Sequence, residues 1–415
     1  MVSSRVRRLS LPINVLQAFG TSDVYIVKPL HGVRVLELAR ILAGPWCGQI
    51  LADLGAEVIK VERPGTGDDT RLWGPPFITG AKGEAWGAAY FHATNRGKKS
   101  VCIDFTTSIG QSVITALASE ADVLIENFKV GDLSRYGLNY VTLKKINPRL
   151  IYASITGFGQ DGPYAKRAGY DSILQGMSGL MDITGEPDGQ PQKVGVAVVD
   201  LFTGVYTSTA ILAALVRRYS TGTGAYIDMA LYDVATSMLA NQGMNYLASG
   251  ISPTRLGNAH PNIAPYQVFA VKDGFIIIAV GNDRQFQAFC DALGAEVCVV
   301  DPEFQTNALR VKSRERLTEI LSPYLLNWNR SDLLAELETI GVPAGPINRV
   351  EDVFADPQIT HRTLCRELVG DDGAVVKTIA SPIVIDGVRQ SSDQASPKLG
   401  SSSPEFTTPK PHRDT

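Results

Sequence analysis

The sequence predicts an α/β chain: a large domain built on a parallel sheet with helices on both faces, and a second, smaller α+β domain. Three observations predict it. Short β-branched apolar runs alternate with helical stretches from Val33 to Ile155, the rhythm of parallel strands and their crossover helices. A second strand–helix alternation follows from Tyr226 to Ile340, beyond a long apolar helix. The 415 residues, 44% apolar and 20% charged, have an ordinary globular balance and bury a sizeable core without disulfide staples.

In order, residues 33–38 read as a buried strand, 47–54 as a helix and 57–61 as a strand. Residues 101–104, 123–125 and 150–155 are further strands, with a helix over 110–118. Ligands of such sheets bind beyond the carboxyl ends of the strands. Residues 194–199 form an apolar β-branched run that ends at Asp200, and 201–219 a long helix closed by Arg217 and Arg218. Thr221-Gly222-Thr223-Gly224 is its stop signal. Residues 226–229 start as a strand and run into a helix, 275–280 is a strand, and 284–293, 314–324 and 330–340 are helical. The prolines at 343, 346 and 382 make 340–395 strand and loop. The domains expected are an N-terminal extension (1–29), a large domain (30–224 and 331–400), a small domain (225–330) and a disordered Ser/Pro/Thr-rich tail (401–415).

Composition excludes several classes. A net charge of -3 provides no basic field for nucleic acid. No apolar run of roughly 18 residues is free of charge or turn signals, so no membrane span is expected. Five cysteines without a C-x-x-C pair and five dispersed histidines argue against a disulfide framework and a metal site. Arg5, Arg7 and Arg8 stand among serines before the first acid, Asp23. That is the composition of a mitochondrial targeting segment, or of a plain tail in a cytoplasmic protein.

Four segments carry candidate chemistry. Arg40-Ile41-Leu42-Ala43-Gly44-Pro45 joins a strand to a helix, as an ordinary turn or as a backbone cradle for an anion. It is not G-x-G-x-x-G, so a dinucleotide-binding dehydrogenase is poorly supported. Lys60 to Arg71 is a basic strand end suited to phosphate, or a solvated charged loop. Glu126-Asn127-Phe128 with Arg135-Tyr136 combines an amide, aromatics and an arginine that could grip an adenine and a phosphate, or is a helix cap and core packing. Asp200 at a helix start is a favoured N-cap; the same helix end keeps a carboxylate ionised for attack. His260, in the loop after Gly257-Asn258, has no acid partner in sequence.

Taken together these segments resemble the class III CoA-transferases, the family of formyl-CoA transferase and carnitine CoA-transferase. The resemblance runs from about Leu30 to about Gly400. It is carried by Leu30-x-Gly32-x-Arg34-Val35-Leu36, Leu42-Ala43-Gly44-Pro45, Asp53-Leu54-Gly55-Ala56-x-Val58-Ile59-Lys60-Val61-Glu62, Asn95-x-x-Lys98-x-Ser100 and Asp122-Val123-x-x-Glu126-Asn127-Phe128. Gly157-Phe158-Gly159, Gly169-Tyr170-Asp171, Thr221-Gly222-x-Gly224 and Gly257-Asn258 complete it. No piece is specific alone; their order and spacing are. Gly195 to Leu201 and His260 to Gln267 make the likeness strongest to the succinate–hydroxymethylglutarate group.

The resemblance implies a Rossmann-like large domain, a smaller domain, and ring-shaped chains interlocked in a homodimer. It implies a coenzyme A thioester as substrate with no permanent cofactor, and short dicarboxylates such as succinate, glutarate or itaconate as acids. It places the nucleophile on Asp200, CoA contacts on Arg63, Ile103, Asn127, Arg135 and Arg167, and the shielding glycine loop at Gly257 and Asn258. A second carboxylate falls on Asp171, beside Tyr170, where formyl-CoA transferase has Glu. That enzyme also has Gln where Leu42 stands, which speaks against formate or oxalate as the acid. α-Methylacyl-CoA racemases share the fold but carry a His at the place of Tyr170, and tyrosine with a pKa of about 10 is a poor base at neutral pH. A non-catalytic CoA-binding protein is the remaining alternative; retention of Asp200 weighs against it.

Overall fold

Six short strands rich in Val, Ile and Leu form the central sheet, and their register sets everything that follows. The computed structural model describes residues 28–80, 82–370 and 373–408. In chain order the elements used below are β1 (Arg34–Glu37), α1 (Ala43–Asp53), β2 (Glu57–Glu62), β3 (Lys98–Cys102), α2 (Ser108–Glu120), β4 (Val123–Glu126), α3 (Tyr140–Ile146), β5 (Ile151–Thr156), α4 (Asp171–Met177), α5 (Val198–Thr221), β6 (Ala225–Ala230), α6 (Ala240–Ser249), β7 (Tyr266–Val271), β8 (Gly274–Ala279), α7 (Asp283–Leu293), α8 (Arg314–Leu325), α9 (Arg330–Thr339) and β9 (Ala344–Pro346).

The chain divides into two units. The first comprises the described parts of Met1–Lys166 and Thr363–Thr415, with Asp200–Ala230. Its sheet has the order β3-β2-β1-β4-β5-β6 with every neighbour parallel. The order reverses between β1 and β4, the place where doubly wound sheets open a crevice. One face is covered by α2 and α3, whose Ile114, Leu117 and Leu143 pack on Leu36, Ile59, Val101, Leu124 and Tyr152. Thr107 and Asn139 cap these helices by accepting from Gly110 N and Thr142 N.

The second unit comprises Arg167–Val199 and Leu231–Arg362. Its three-stranded antiparallel sheet, β9-β8-β7, packs on α7, α8 and α9. It therefore reaches past the expected 225–330. Leu333 and Leu337 of α9 belong to its core, and β9 pairs with β8, which draws 331–362 out of the large domain.

Three further expectations change. Residues 194–197 form no strand: Gln175 Oε1 takes Val194 N at 2.9 Å and Asp171 Oδ1 takes Val199 N at 2.8 Å, so no sheet partner is needed. Helix α5 begins at Val198, which puts Asp200 inside its first turn and not at the N-cap. The tail is ordered as far as it is described. Gly400 N and Ser402 N donate to Ser100, and Thr407 N and Thr408 N donate to the Glu57 carboxylate at 2.7 and 2.9 Å. The targeting reading of 1–29 lies almost wholly outside the described residues, as does the end of the tail beyond 408. Among the described residues one helix, α5 with 24 residues, is long and apolar enough to cross a membrane by length and composition alone. Thr203, Thr207 and Ser208 on its buried side and an Arg218–Asp122 ion pair at 2.9 Å suit a helix packed on protein.

Candidate active site

At the sheet's reversal point lies a cavity of about 320 Å³. Its walls are the carboxyl ends of β1 to β4: Leu38, Val61 and Glu62, Ile103, and Phe128. Arg40, Arg63 and Arg135 bring three guanidinium groups to it. Arg40 is held by Asp69 at 3.1 Å and Arg135 by Asp132 at 2.8 Å, both near the surface, where phosphate oxygens can compete for them. Phe105 stands edge-on to Phe128 and to Tyr136, each at 5.4 Å, an aromatic wall for a planar base. Of the expected CoA contacts, Arg63, Ile103 and Arg135 therefore meet here. Asn127 does not reach in: its carboxamide is spent on Arg40, accepting from Arg40 N at 3.0 Å and donating to Arg40 O at 2.7 Å.

The loop 60–71 is not a solvated charge run. Lys60, Glu62, Asp68 and Arg71 are all buried. Lys60 Nζ bonds Asp68 at 2.9 Å, Glu37 at 3.1 Å and Ala39 O at 2.8 Å. Burial alone would lower its pKa, but the carboxylates of Asp68, Glu37 and Glu62 outweigh that and raise it. Arg71 grips Glu62 with two bonds of 2.7 Å and lies 3.6 Å from the Phe91 ring centroid. Burial pushes the Glu62 carboxyl upward, and Arg71, Lys60 and Ser100 more than reverse it. Lys98, sharing Glu37 with Lys60, is lowered to about 8 by burial. The sequence signal for this network was three charges, Glu57, Lys60 and Glu62, among the apolar residues of one strand; the fold buries that strand at every position, and fully buried charges must be paired.

Asp200 is half-buried in the first turn of α5. One turn later, Gly204 lies so close to α1 that a Cβ there would stand 2.8 Å from Ala43 O and 2.9 Å from the Trp46 ring. The Asp200 turn is thus seated on the start of α1, the helix that follows the cavity-lining Arg40. The positive end of α5's dipole favours an ionised carboxylate at this position.

The remaining expected residues belong to the second unit. Asp171 opens α4, and its oxygens take Val199 N at 2.8 Å and Gln175 Nε2 at 2.6 Å. It therefore fixes the chain just before Asp200. Tyr170, which precedes it, is largely exposed, and Arg167 is exposed. Gly257 has φ 57 and donates to Gly185 O at 3.0 Å; Asn258 beside it is exposed, in a stretch without regular structure. His260 stacks on Tyr266 at 5.1 Å and accepts from Asn262 N, a structural arrangement.

A second cavity of about 320 Å³ opens beyond β4 and β5 and shares Phe128 and Leu133 with the first. Its polar groups serve one another: Glu126 takes Phe128 N at 2.8 Å, Gln160 donates to Ser154 at 2.8 Å, and Tyr152 donates to Leu138 O. Burial raises the Glu126 carboxyl to about 7.

Comparison with known proteins agrees with this geometry. A family model described as CoA-transferase family III matches residues 30–403. The chain is 56% identical over 372 residues to a succinate–glutarate CoA-transferase of Agrobacterium fabrum, covering 90% of this chain and 93% of that protein. It is 45% identical to the succinyl-CoA:glutarate CoA-transferase of Mus musculus, covering 84% of this chain and 78% of the relative. Among solved structures, a CAIB/BAIF family protein from Brucella suis superposes with a TM-score of 0.80 at 57% identity, covering 90% of this chain and 97% of that one.

Proposed function

The chain belongs to CoA-transferase family III and is a CoA-transferase, and from that premise we propose that it moves CoA from succinyl-CoA to a free dicarboxylate such as glutarate, with Asp200 as the nucleophile. The observation that carries this reading is the close approach of Gly204, one turn beyond Asp200, to the start of α1, the helix that follows the cavity-lining Arg40. The cavity supplies what CoA requires: guanidinium groups for phosphates and an aromatic wall for adenine. The names of the relatives support succinyl-CoA and glutarate as the pair.

The chemistry is covalent carboxylate catalysis. An Asp200 oxygen attacks the thioester carbon; the C–O bond forms, the C–S bond breaks, and CoA leaves as thiolate with a mixed anhydride behind it. The thiolate attacks the Asp200 carbonyl, which releases the first acid and leaves aspartyl-CoA. The acceptor carboxylate attacks that thioester, giving a new anhydride and thiolate. The thiolate then takes the new acyl group, and Asp200 is regenerated with no net proton change. Water must be kept out, because an anhydride hydrolyses. We assign that shielding to the loop at Gly257 and Asn258, and acid recognition to Tyr170 and Asp171, with Arg167 as a further CoA contact.

The test is Asp200→Asn in the full chain, assayed with succinyl-CoA against glutarate, itaconate, hydroxymethylglutarate and malate. Transfer should fall to background while urea unfolding is unchanged, and mass spectrometry should find CoA bound covalently only to the wild type. Wild-type turnover in the variant removes Asp200 from the mechanism; exchange of an α-proton for deuterium without transfer favours the racemase.

A homodimer belongs to the same proposal. Helix α5 exposes Phe202, Val205, Tyr206, Val216 and Tyr219. Helix α6 buries none of its residues and exposes Met244, Tyr246 and Leu247. Apolar faces of this kind support a second copy as their cover, in the interlocked arrangement the resemblance implies; a monomer mass by light scattering would dismiss it. The arginines of the first 29 residues support a mitochondrial address, which cytosolic retention of a reporter carrying residues 1–29 would exclude.

A further inference from the structure

Residues 39–41, which lead from β1 into α1, are gripped by side chains at four backbone groups. Ala39 O accepts from Lys60 Nζ at 2.8 Å. Arg40 N and O both bond the Asn127 carboxamide, at 3.0 and 2.7 Å. Ile41 N donates to both oxygens of Asp68 at 3.2 Å. Asp68 is fixed in turn by Lys60 at 2.9 Å, Thr70 N at 3.0 Å and Thr70 Oγ1 at 2.8 Å.

The grip holds something unusual. Ile41 has φ 73, the left-handed region, where a β-branched side chain is a genuine outlier. Such residues persist only where the surroundings over-determine them, and they cluster at functional sites. A glycine would make the same turn without strain. A buried ion pair such as Lys60–Asp68 is also weak evidence for stability, since well-packed apolar residues often do as well. Both features are explained if the turn's geometry matters more than its energy. The next residue but one is Ala43, whose carbonyl meets Gly204, one turn from Asp200.

We infer that Lys60, Asp68 and Asn127 are positioning residues for the transfer: they lock the left-handed turn at Ile41, so that the start of α1 seats the Asp200 turn of α5 beside the cavity. Asn127 acts on CoA only through Arg40, and Asp68 reaches the nucleophile only through the chain it holds. This rests on Asp200 being the nucleophile and on the cavity being the CoA site.

The experiment uses Asp68→Asn in the full chain. A shift of the turn misplaces the nucleophile and, of the cavity walls, moves Arg40, while Arg63, Arg135 and the aromatic wall stay where they are; kcat should therefore fall about 30- to 100-fold and KM for succinyl-CoA rise by less than about tenfold. Hydrolysis should take a larger share of the succinyl-CoA consumed, and amide exchange across 39–44 should quicken at least about tenfold. Faster exchange with wild-type kcat overturns the inference. So does a loss of activity that disappears when kcat is expressed per active site titrated by the CoA burst. Should Asp68→Asn not fold, Asn127→Asp, at a half-buried position, carries the same measurements. Asp200→Asn separates the two readings: if it still transfers CoA, the nucleophile assignment falls and the inference with it, whereas an inactive Asp200→Asn beside an Asp68→Asn of wild-type kcat overturns the inference alone.

Discussion

Replacing Gly204 by alanine tests the seat of the nucleophile with a single methyl group. The new Cβ would stand 2.8 Å from Ala43 O and 2.9 and 3.0 Å from two Trp46 carbons, whereas ordinary contact begins near 3.4 Å. One partner is backbone and the other is a ring at the start of α1, so neither swings aside. Helix α5 must then retreat by about 0.6 Å, the shortfall between those two distances. Two stability effects oppose each other: alanine gains about 1 kcal/mol of helix propensity over glycine, and overpacking costs about 1–3 kcal/mol. The fold should survive with at most about 2 kcal/mol lost. Catalysis should not, because a displacement near 1 Å costs about 10²-fold in rate. We expect kcat down about 10- to 100-fold and KM for succinyl-CoA within about threefold, since the cavity walls do not depend on α5. Steady-state transfer and urea unfolding on the same preparation decide it. Wild-type kcat at wild-type stability would refute the seating argument, and a rise in KM matching the loss of kcat/KM would place the effect in binding.

Two further outcomes follow from the buried charges. Glu126 has its pKa raised to about 7 from 4.5 by burial, so between those values the folded state binds a proton that the unfolded state lacks. Wild-type stability therefore falls as pH rises through that window, and Glu126→Gln should remove the fall. The variant should match wild type below about pH 4.5 and exceed it above pH 7 by on the order of 2–3 kcal/mol; equal urea midpoints at pH 8 would contradict this. Arg71→Met leaves Glu62 buried without its bidentate partner and should cost about 3–5 kcal/mol, much of it recovered in the double variant Arg71→Met/Glu62→Met. A single variant as stable as wild type would show that Ser100 and the Asp68 amide suffice to hold Glu62.

Much of the large unit was legible locally. Apolar runs around Val58, Leu124 and Ala153 became β2, β4 and β5, with ends within a few residues. Local reading failed where a distant partner decided the outcome. The run 194–199 has the composition of a strand, yet Gln175 takes the amide of Val194 and Asp171 that of Val199, and the run is irregular until Val198. The tail has the composition of disorder, yet Thr407 and Thr408 bond Glu57 across some 350 residues of sequence. The small unit was drawn too short because the apolar side of α9 does not announce which core it joins.

Asp200 shows the same division at the site. By itself the sequence determined the alternation of strands and helices, because periodicity is written in neighbouring residues, and it put a carboxylate at the start of a long apolar helix. The ordered motifs around it identified the family. Only the tertiary structure decided that Asp200 lies within the first turn, that Gly204 one turn on rests against the start of α1, and that Asp68, itself held by Lys60, fixes a strained Ile41 two residues before that helix. Burial and pairing of charges depend on groups brought together from far along the chain, and no local pattern records which of them will meet.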